Sequence, residues 1–377
     1  MKIVIIGSSI AGLSAADAAL KANPEVEVHI YSEEADYPYS RPRLFELLAD
    51  PSLESKLYLH PREWYEQHNI HMHMDQQVVH IHCDQQKISL ANGQQVDYDK
   101  LILATGSKSH VPPIPGVEGK GVYVIWTMKD THNFLTELQK QEQVVVIGGG
   151  LLGLEAAYQI NRGGVHTIVL ESFSRLLGRQ MDDQGSQLFK EKVESLGIEV
   201  ILEAKSEIVL DDQNQVIGVK VNDRLIDCKM VLIATGVKAR DELALEADCE
   251  INLRIKANDH MMTNVENIYA AGDNVEVDGQ WYGLWSVAQA QGKVAGSNAA
   301  GVEMSYVANI PPYILSTMDT KVMSMGTIIA NNQQHEVINE DKEIFKYEKL
   351  VYQGDQLVGF IVMGDLARGM ALRKELQ

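Results

Sequence analysis

Cysteine is scarce: Cys83, Cys228 and Cys249 are the three in 377 residues. An odd count without a Cys-x-x-Cys spacing argues against a disulfide framework, and reduced thiols fit a cytoplasmic location. Long apolar runs are missing as well. No stretch approaches the ~20 apolar residues of a membrane helix, and Ile-Val-Ile-Ile after Lys2 is too short for a signal-peptide core. Basic residues are in deficit, 33 Lys and Arg against 52 Asp and Glu, for a net charge of −19. Such a surface repels phosphate backbones and anionic lipid heads, so neither nucleic acid nor membrane is expected as a partner. What remains is ordinary for a globular protein, with 45% hydrophobic and 23% charged residues. Global disorder is not expected from that balance, and the length predicts two or three domains.

The chain contains a degenerate repeat. MKIVIIGSSIAGLSAADAAL opens it, and VVVIGGGLLGLEAAYQI follows from Val144. Each is a β-branched run, then small residues, then an alanine-rich helical pattern, which predicts strand, tight turn and helix. Each unit closes much later on an apolar run ending in Ala-Thr-Gly, at Thr105-Gly106 and Thr235-Gly236. Before each closing run, a meander of short strands is predicted, over Val78–Tyr98 with an Asn92-Gly93 hairpin signal and over Ser206–Lys229. A long small-residue helix is expected from WSVAQAQGKVAGSNAAG. The last seventy residues predict strands over Tyr313–Ile329, Ile344–Tyr352 and Gln356–Met363. The expected fold is therefore α/β, with two Rossmann-like dinucleotide-binding domains and a small α+β C-terminal domain. The expected boundaries are 1–110 with 241–307, 111–240, and 308–377.

A glycine loop that opens a helix binds pyrophosphate, because the missing side chains admit the anion and free helix amides point at it. Gly148, Gly150 and Gly153 complete the fingerprint in the second loop. Glu171, 23 residues after Gly148 and at the end of VHTIVLE, suits an adenosine ribose 2′-hydroxyl and repels a 2′-phosphate. That favours NADH over NADPH, with Arg175 and Arg179 nearby. The first loop is Gly7-Ser8-Ser9-Ile10-Ala11-Gly12, with Ser9 where the fingerprint has glycine. Glu33 and Glu34, after VEVHIYS, are its candidate ribose acids. The histidines His68, His71, His73, His80 and His82, with Cys83, alternate along two segments. They read as solvated strand faces, and no metal site is expected.

The two loops, the two Ala-Thr-Gly closers and Thr263…Ile268-Tyr269-Ala270-Ala271-Gly272-Asp273 together resemble the FAD- and NAD(P)-dependent pyridine nucleotide–disulfide reductase superfamily, whose fold is that of glutathione reductase. Within it, EEADYPYSRPRLFELL followed by LHPREWYEQHNI resembles the NADH:rubredoxin and flavorubredoxin reductases. The paired or single flavin-side cysteine of other branches is absent, since residues 40–43 are Ser-Arg-Pro-Arg. The resemblance implies FAD and NADH as cofactors, and hydride transfer to the flavin followed by single-electron steps to rubredoxin or a similar iron protein.

The resemblance further implies that Asp273 meets the ribityl chain of FAD, Val78 the adenine, and the helix near Trp285 the reduced flavin. Glu155 is expected on the first turn of its helix, near the flavin, with Arg43 or Arg41 as its cation. Glu46 stands where ferredoxin reductases of oxygenase systems have lysine. Ser316, with Lys321 nearby, stands where many relatives carry a flavin-side lysine. The rival readings are such a ferredoxin reductase, or a flavoprotein whose redox state controls binding. Rubredoxins are acidic, so docking is expected to need a cationic patch drawn from Arg41, Arg43, Lys108, Lys321, Arg368 and Arg373.

Overall fold

A computed structural model describes residues 1–308 and 310–376. The chain forms two compact units, each discontinuous in sequence. The first comprises Met1–Leu44, Ser52–Lys108 and Val237–Asn309, and the second Phe45–Pro51, Ser109–Gly236 and Ile310–Gln377.

In the first unit a five-stranded sheet runs Ile268–Ala270, Lys100–Leu103, Lys2–Ile6, Glu27–Tyr31, Ile70–His73, in that spatial order. Every neighbouring pair is parallel. The unbroken apolar run of Lys2–Ile6 follows from burial on both faces. Ile3 and Ile5 enter a core with the helices Ile10–Ala22 and Trp285–Ala299, whereas Val4 and Ile6 enter a second core with the antiparallel meander Val78–His82, Lys87–Leu90, Gln95–Asp97. Gly93, with φ +86°, takes the hairpin turn that Asn92-Gly93 predicted.

The two helices are rich in small residues because they nearly touch. A Cβ built on Gly292 would lie 2.2 Å from the Ala11 carbonyl oxygen, and one on Gly296 would lie 2.0 Å from that of Ala15. Any larger side chain would force backbone apart.

The second unit repeats the plan. Its parallel sheet runs Glu199–Ile201, His166–Leu170, Gln143–Ile147, Val231–Ile233, Val122–Tyr123. A meander of Ser206–Leu210, Val216–Val221 and Arg224–Asp227 covers the face formed by Val145 and Ile147. The opposite face, with Val144 and Val146, shares one continuous core with Leu315, Met318, Val322, Tyr347, Ile361 and Met363 of the C-terminal sheet.

That C-terminal sheet differs from the sequence expectation in two places. Tyr313–Ile329 is a hairpin, Tyr313–Thr317 and Thr320–Gly326, rather than one strand. The turn residues Met318 and Asp319 both have positive φ (+56° and +51°), a geometry usually served by Asn-Gly. Burial of Met318 and the hydrogen bond that Tyr158 Oη donates to Asp319 hold it instead. The strand His335–Asp341 was not expected from the sequence. It is an edge strand, exposed along almost its whole length, so it lacks the apolar alternation that marks strands. No helix among the described residues is long and apolar enough to cross a membrane.

Candidate functional site

Both glycine loops follow the central strand of a parallel sheet and open a helix, and they match in detail. Gly7 and Gly148 take φ of +111° and +125°. A Cβ on either would strike the carbonyl oxygen of the Ala in its closing Ala-Thr-Gly run, at 2.1 Å from Ala104 and 2.3 Å from Ala234. Gly12 and Gly153 lie against the carbonyl oxygens of Gly7 and Gly148, at 1.9 and 2.0 Å from a built Cβ. Ser9 and Gly150 are the equivalent N-cap positions, both extended (φ −74°, ψ −172° and φ −86°, ψ −175°). Serine adopts that backbone without strain, so its presence in the first loop costs space and not conformation. Neither helix carries an acidic residue in its first turn, which leaves the amide-rich ends free of a competing anion.

In the second unit Glu171 is buried against the loop. Its Oε2 accepts from Gly149 N at 2.7 Å and its Oε1 from Phe173 N at 2.9 Å. Arg175, read as a neighbour of the ribose site, is engaged by Asp183 at 2.6 Å. Thr235 Oγ1 donates to His110 O at 2.7 Å, and Gly236, with φ +104°, accepts from His110 N. One expectation is corrected. The helix starts at Leu151, so Glu155 lies on its second turn, beyond the strongest field of the helix end. Its carboxyl is pushed up to about 7, chiefly by burial and then by the like charge of Glu46.

In the first unit the charged residues form a network that the sequence does not display. Asp273 accepts from Ser107 Oγ at 3.0 Å. Burial raises its carboxyl, against the pull of Ser107, Arg254 and Arg41. Arg41 pairs with Glu34 at 2.6 Å, and Tyr39 Oη donates to the same carboxylate. Glu33 pairs with Arg240, and Arg43 donates to Lys56 O at 3.0 Å. Thr105 Oγ1 donates to Arg240 O at 2.6 Å and accepts from Asn274 Nδ2 at 3.1 Å. Gly106 has φ +66° and accepts from Arg240 N. Ala11 is buried under Gly272, whose amide donates to Gln291 Oε1 at 3.0 Å. Val78 opens the meander, buried, and Trp285 opens its helix, partly buried.

These residues suit an anionic dinucleotide with hydroxyls. Asn274 Oδ1, Arg254 Nε, Arg240 Nε and Trp281 Nε1 are buried polar atoms without a hydrogen-bond partner. Orphans of that kind are costly and point to a missing ligand or water. Two of them are guanidinium nitrogens, which suits an anion. Ser107, Arg240, Arg254, Asn274 and Gln291 were missed in the sequence. Asn274, directly after Gly272-Asp273, and Ser107, directly after Thr105-Gly106, carried a local hint.

The comparisons decide the family. Residues 1–292 match the model of the pyridine nucleotide-disulphide oxidoreductases, and residues 311–377 match the rubredoxin NAD+ reductase C-terminal domain. The chain belongs to the pyridine nucleotide-disulphide oxidoreductase family. It is 30% identical over 375 residues to the NADH-rubredoxin oxidoreductase of Clostridium acetobutylicum, covering 100% of this chain and 94% of that protein. The crystal structure of NADH:rubredoxin oxidoreductase from that organism superposes with a TM-score of 0.86 at 29% identity, over 100% of this chain and 94% of that one. The chain is also 30% identical to the nitrite reductase [NAD(P)H] of Bacillus subtilis, with 100% of this chain covered. It spans about half the length of the curated nitrite and nitrate system relatives it matches, 47% and 48%. This family of oxidoreductases uses FAD and NADH.

Proposed function

We propose that the protein takes electrons from NADH through FAD to rubredoxin or a rubredoxin-like iron protein. The observation that carries this reading is a full pair of dinucleotide loops with no thiol in either. Cys83 lies against Ala247 O, Cys249 against Thr263, and Cys228 is buried. Burial raises the thiols of Cys228 and Cys249 to about 11, so neither is a thiolate at neutral pH. An acceptor beyond these residues then takes the electrons. Bound FAD would supply the hydride acceptance and the single-electron delivery.

The chain's own residues bind and orient. Gly7, Ser9, Ala11 and Gly12 present helix amides to the FAD pyrophosphate, with Arg41 and Arg254 as counter-charges. Asp273 accepts from the ribityl hydroxyls, Val78 offers backbone to the adenine, and Thr105 and Gly106 close the loop. Glu33 and Glu34, held by arginines, flank the adenosine ribose. Gly148, Gly150, Gly153 and Gly236 form the NADH cradle, and Glu171 takes the ribose. Trp285 and the amides behind it stabilise negative charge on the ring system. Within the second unit Glu155 is the carboxyl assigned to the redox chemistry, and within the first unit Arg43 is the cation so assigned.

A second reading has a specific support: 31% identity over 373 residues to the assimilatory nitrate reductase electron transfer subunit of Bacillus subtilis. In that case the acceptor belongs to a nitrogen-oxyanion reductase. The test is steady-state NADH oxidation by the purified protein with rubredoxin, ferredoxin or a nitrite-reducing partner as acceptor. Rubredoxin is expected to give the highest kcat/KM. Faster turnover with either of the others would replace the assignment, and a purified protein that does not take up FAD would overturn the flavin chemistry.

A further inference from the structure

Parallel pairing of Glu27–Tyr31 with the edge strand Ile70–His73 sets His29 opposite His71 and Tyr31 opposite His73. Side chains at paired positions share a face, so one face of the two strands carries Glu27, His29, Tyr31, His71 and His73. The imidazoles stack: His29 and His71 have centroids 4.7 Å apart, and His29 and His73 are 5.1 Å apart. The sequence read these histidines as a solvated face. It could not show that His29 and Glu27 join them from a strand more than forty residues earlier.

The hydrogen bonds define a coordination-ready arrangement. His29 is buried, with Nδ1 2.8 Å from His73 Nε2 and Nε2 2.7 Å from Glu27 Oε1. In one tautomer His29 donates Nε2–H to Glu27; in the other, with the proton on Nδ1 accepted by His73, the Nε2 lone pair is free to bind a cation beside the Glu27 carboxylate. One ligand atom each from Glu27, His29 and His71 lies within 4.8 Å of the others, with Glu27 and His71 exposed to solvent. An imidazole whose second nitrogen donates to a neighbour is the usual metal-ligand arrangement. Two imidazoles and a carboxylate suit a borderline divalent cation rather than calcium or magnesium. Lys2 stands beside Glu27 in the register and opposes the cation.

We propose that Glu27, His29 and His71 form a binding site for a zinc-class divalent cation, with His73 orienting His29. The site lies on the amino-terminal half of Glu27–Tyr31, whereas the first glycine loop follows the carboxyl end of Lys2–Ile6. It clips the edge strand to its neighbour and takes no part in electron transfer. Its chemistry requires neutral imidazoles, so protons compete with the metal.

The experiment is calorimetric titration of the purified, flavin-loaded chain with Zn2+, together with its thermal midpoint with and without the metal. One equivalent of Zn2+ is expected, with a rise in midpoint because the ion binds the folded state. His71→Ala and Glu27→Gln, both at exposed positions, should each weaken binding at least tenfold and abolish the rise. His73→Ala should weaken it by roughly 10- to 100-fold, and Lys2→Gln should tighten it. His80→Ala, on the meander where His80 pairs with Glu246, should change nothing. Equal uptake by wild type and His71→Ala, or equal losses in His71→Ala and His80→Ala, would overturn the site in favour of non-specific surface histidines.

Discussion

Two carboxylates show how single residues divide the work. Glu171 braces the second loop through Gly149 N and is the residue proposed to take the NADH ribose. Glu171→Ala should cost about 1.5–3 kcal/mol of interaction with NADH, roughly 10- to 100-fold in kcat/KM, with a smaller loss for NADPH. The NADH-to-NADPH ratio of kcat/KM is the readout, and an unchanged ratio would leave Glu171 with a bracing role alone. Glu155 is the second case. Its folded carboxyl keeps a proton to about pH 7, against 4.5 for an ordinary glutamate. The folded state therefore binds more protons than the unfolded chain across that window, and stability falls as pH rises through it. Glu155→Gln should flatten this fall, so the variant gains on wild type from pH 5 to pH 7 in parallel thermal melts. A constant difference across the window would place the titration elsewhere. The glycines, Glu171 and Asp273 were legible in the sequence because their spacing is local. Arg240 and Ser107 were not, since each reaches its partner across more than a hundred residues of chain.

At the level of elements, the contact between Ile10–Ala22 and Trp285–Ala299 is the feature most sensitive to one methyl group. Gly292→Ala places a Cβ against the Ala11 backbone, where no side chain can rotate away. The helix propensity of alanine offsets up to about 1 kcal/mol, and overpacking costs about 1–3 kcal/mol. The expected outcome is a lower urea midpoint with unchanged slope, and weaker FAD retention because Ala11 belongs to the loop helix. A midpoint at or above wild type would show that the helices can separate without penalty. The repeat of strand, loop, helix and meander was readable because buried parallel strands are uniformly apolar and glycine loops are distinctive. The C-terminal sheet was less readable. A turn at Met318-Asp319 has neither glycine nor asparagine, and an edge strand such as His335–Asp341 shows polar residues on both faces. In each case tertiary packing, and not local propensity, selects the conformation.

For the whole molecule, charge sets how an acceptor arrives. The net charge is −19, and rubredoxins are acidic, so encounter is repulsive at long range. A cationic docking patch was the sequence expectation. Three of its six candidates are ion-paired on this surface: Arg41 with Glu34, Lys108 with Glu242 and Arg368 with Glu348. A paired cation adds little potential beyond its own carboxylate, so the net negative field dominates the approach. Salt screens that field over about 8 Å at 0.15 M. The rate of rubredoxin reduction in stopped flow should therefore rise with ionic strength and level off, while NADH-to-FAD transfer stays nearly constant. Releasing the cations tests the same balance from the other side. Glu242→Gln and Glu348→Gln each remove a negative charge and free a positive one, so both should raise the low-salt association rate and flatten its salt dependence, because rim charges act on encounter more than on the bound complex. A wild-type rate that falls with added salt would mean that a cationic face, assembled from groups other than these three pairs, governs docking.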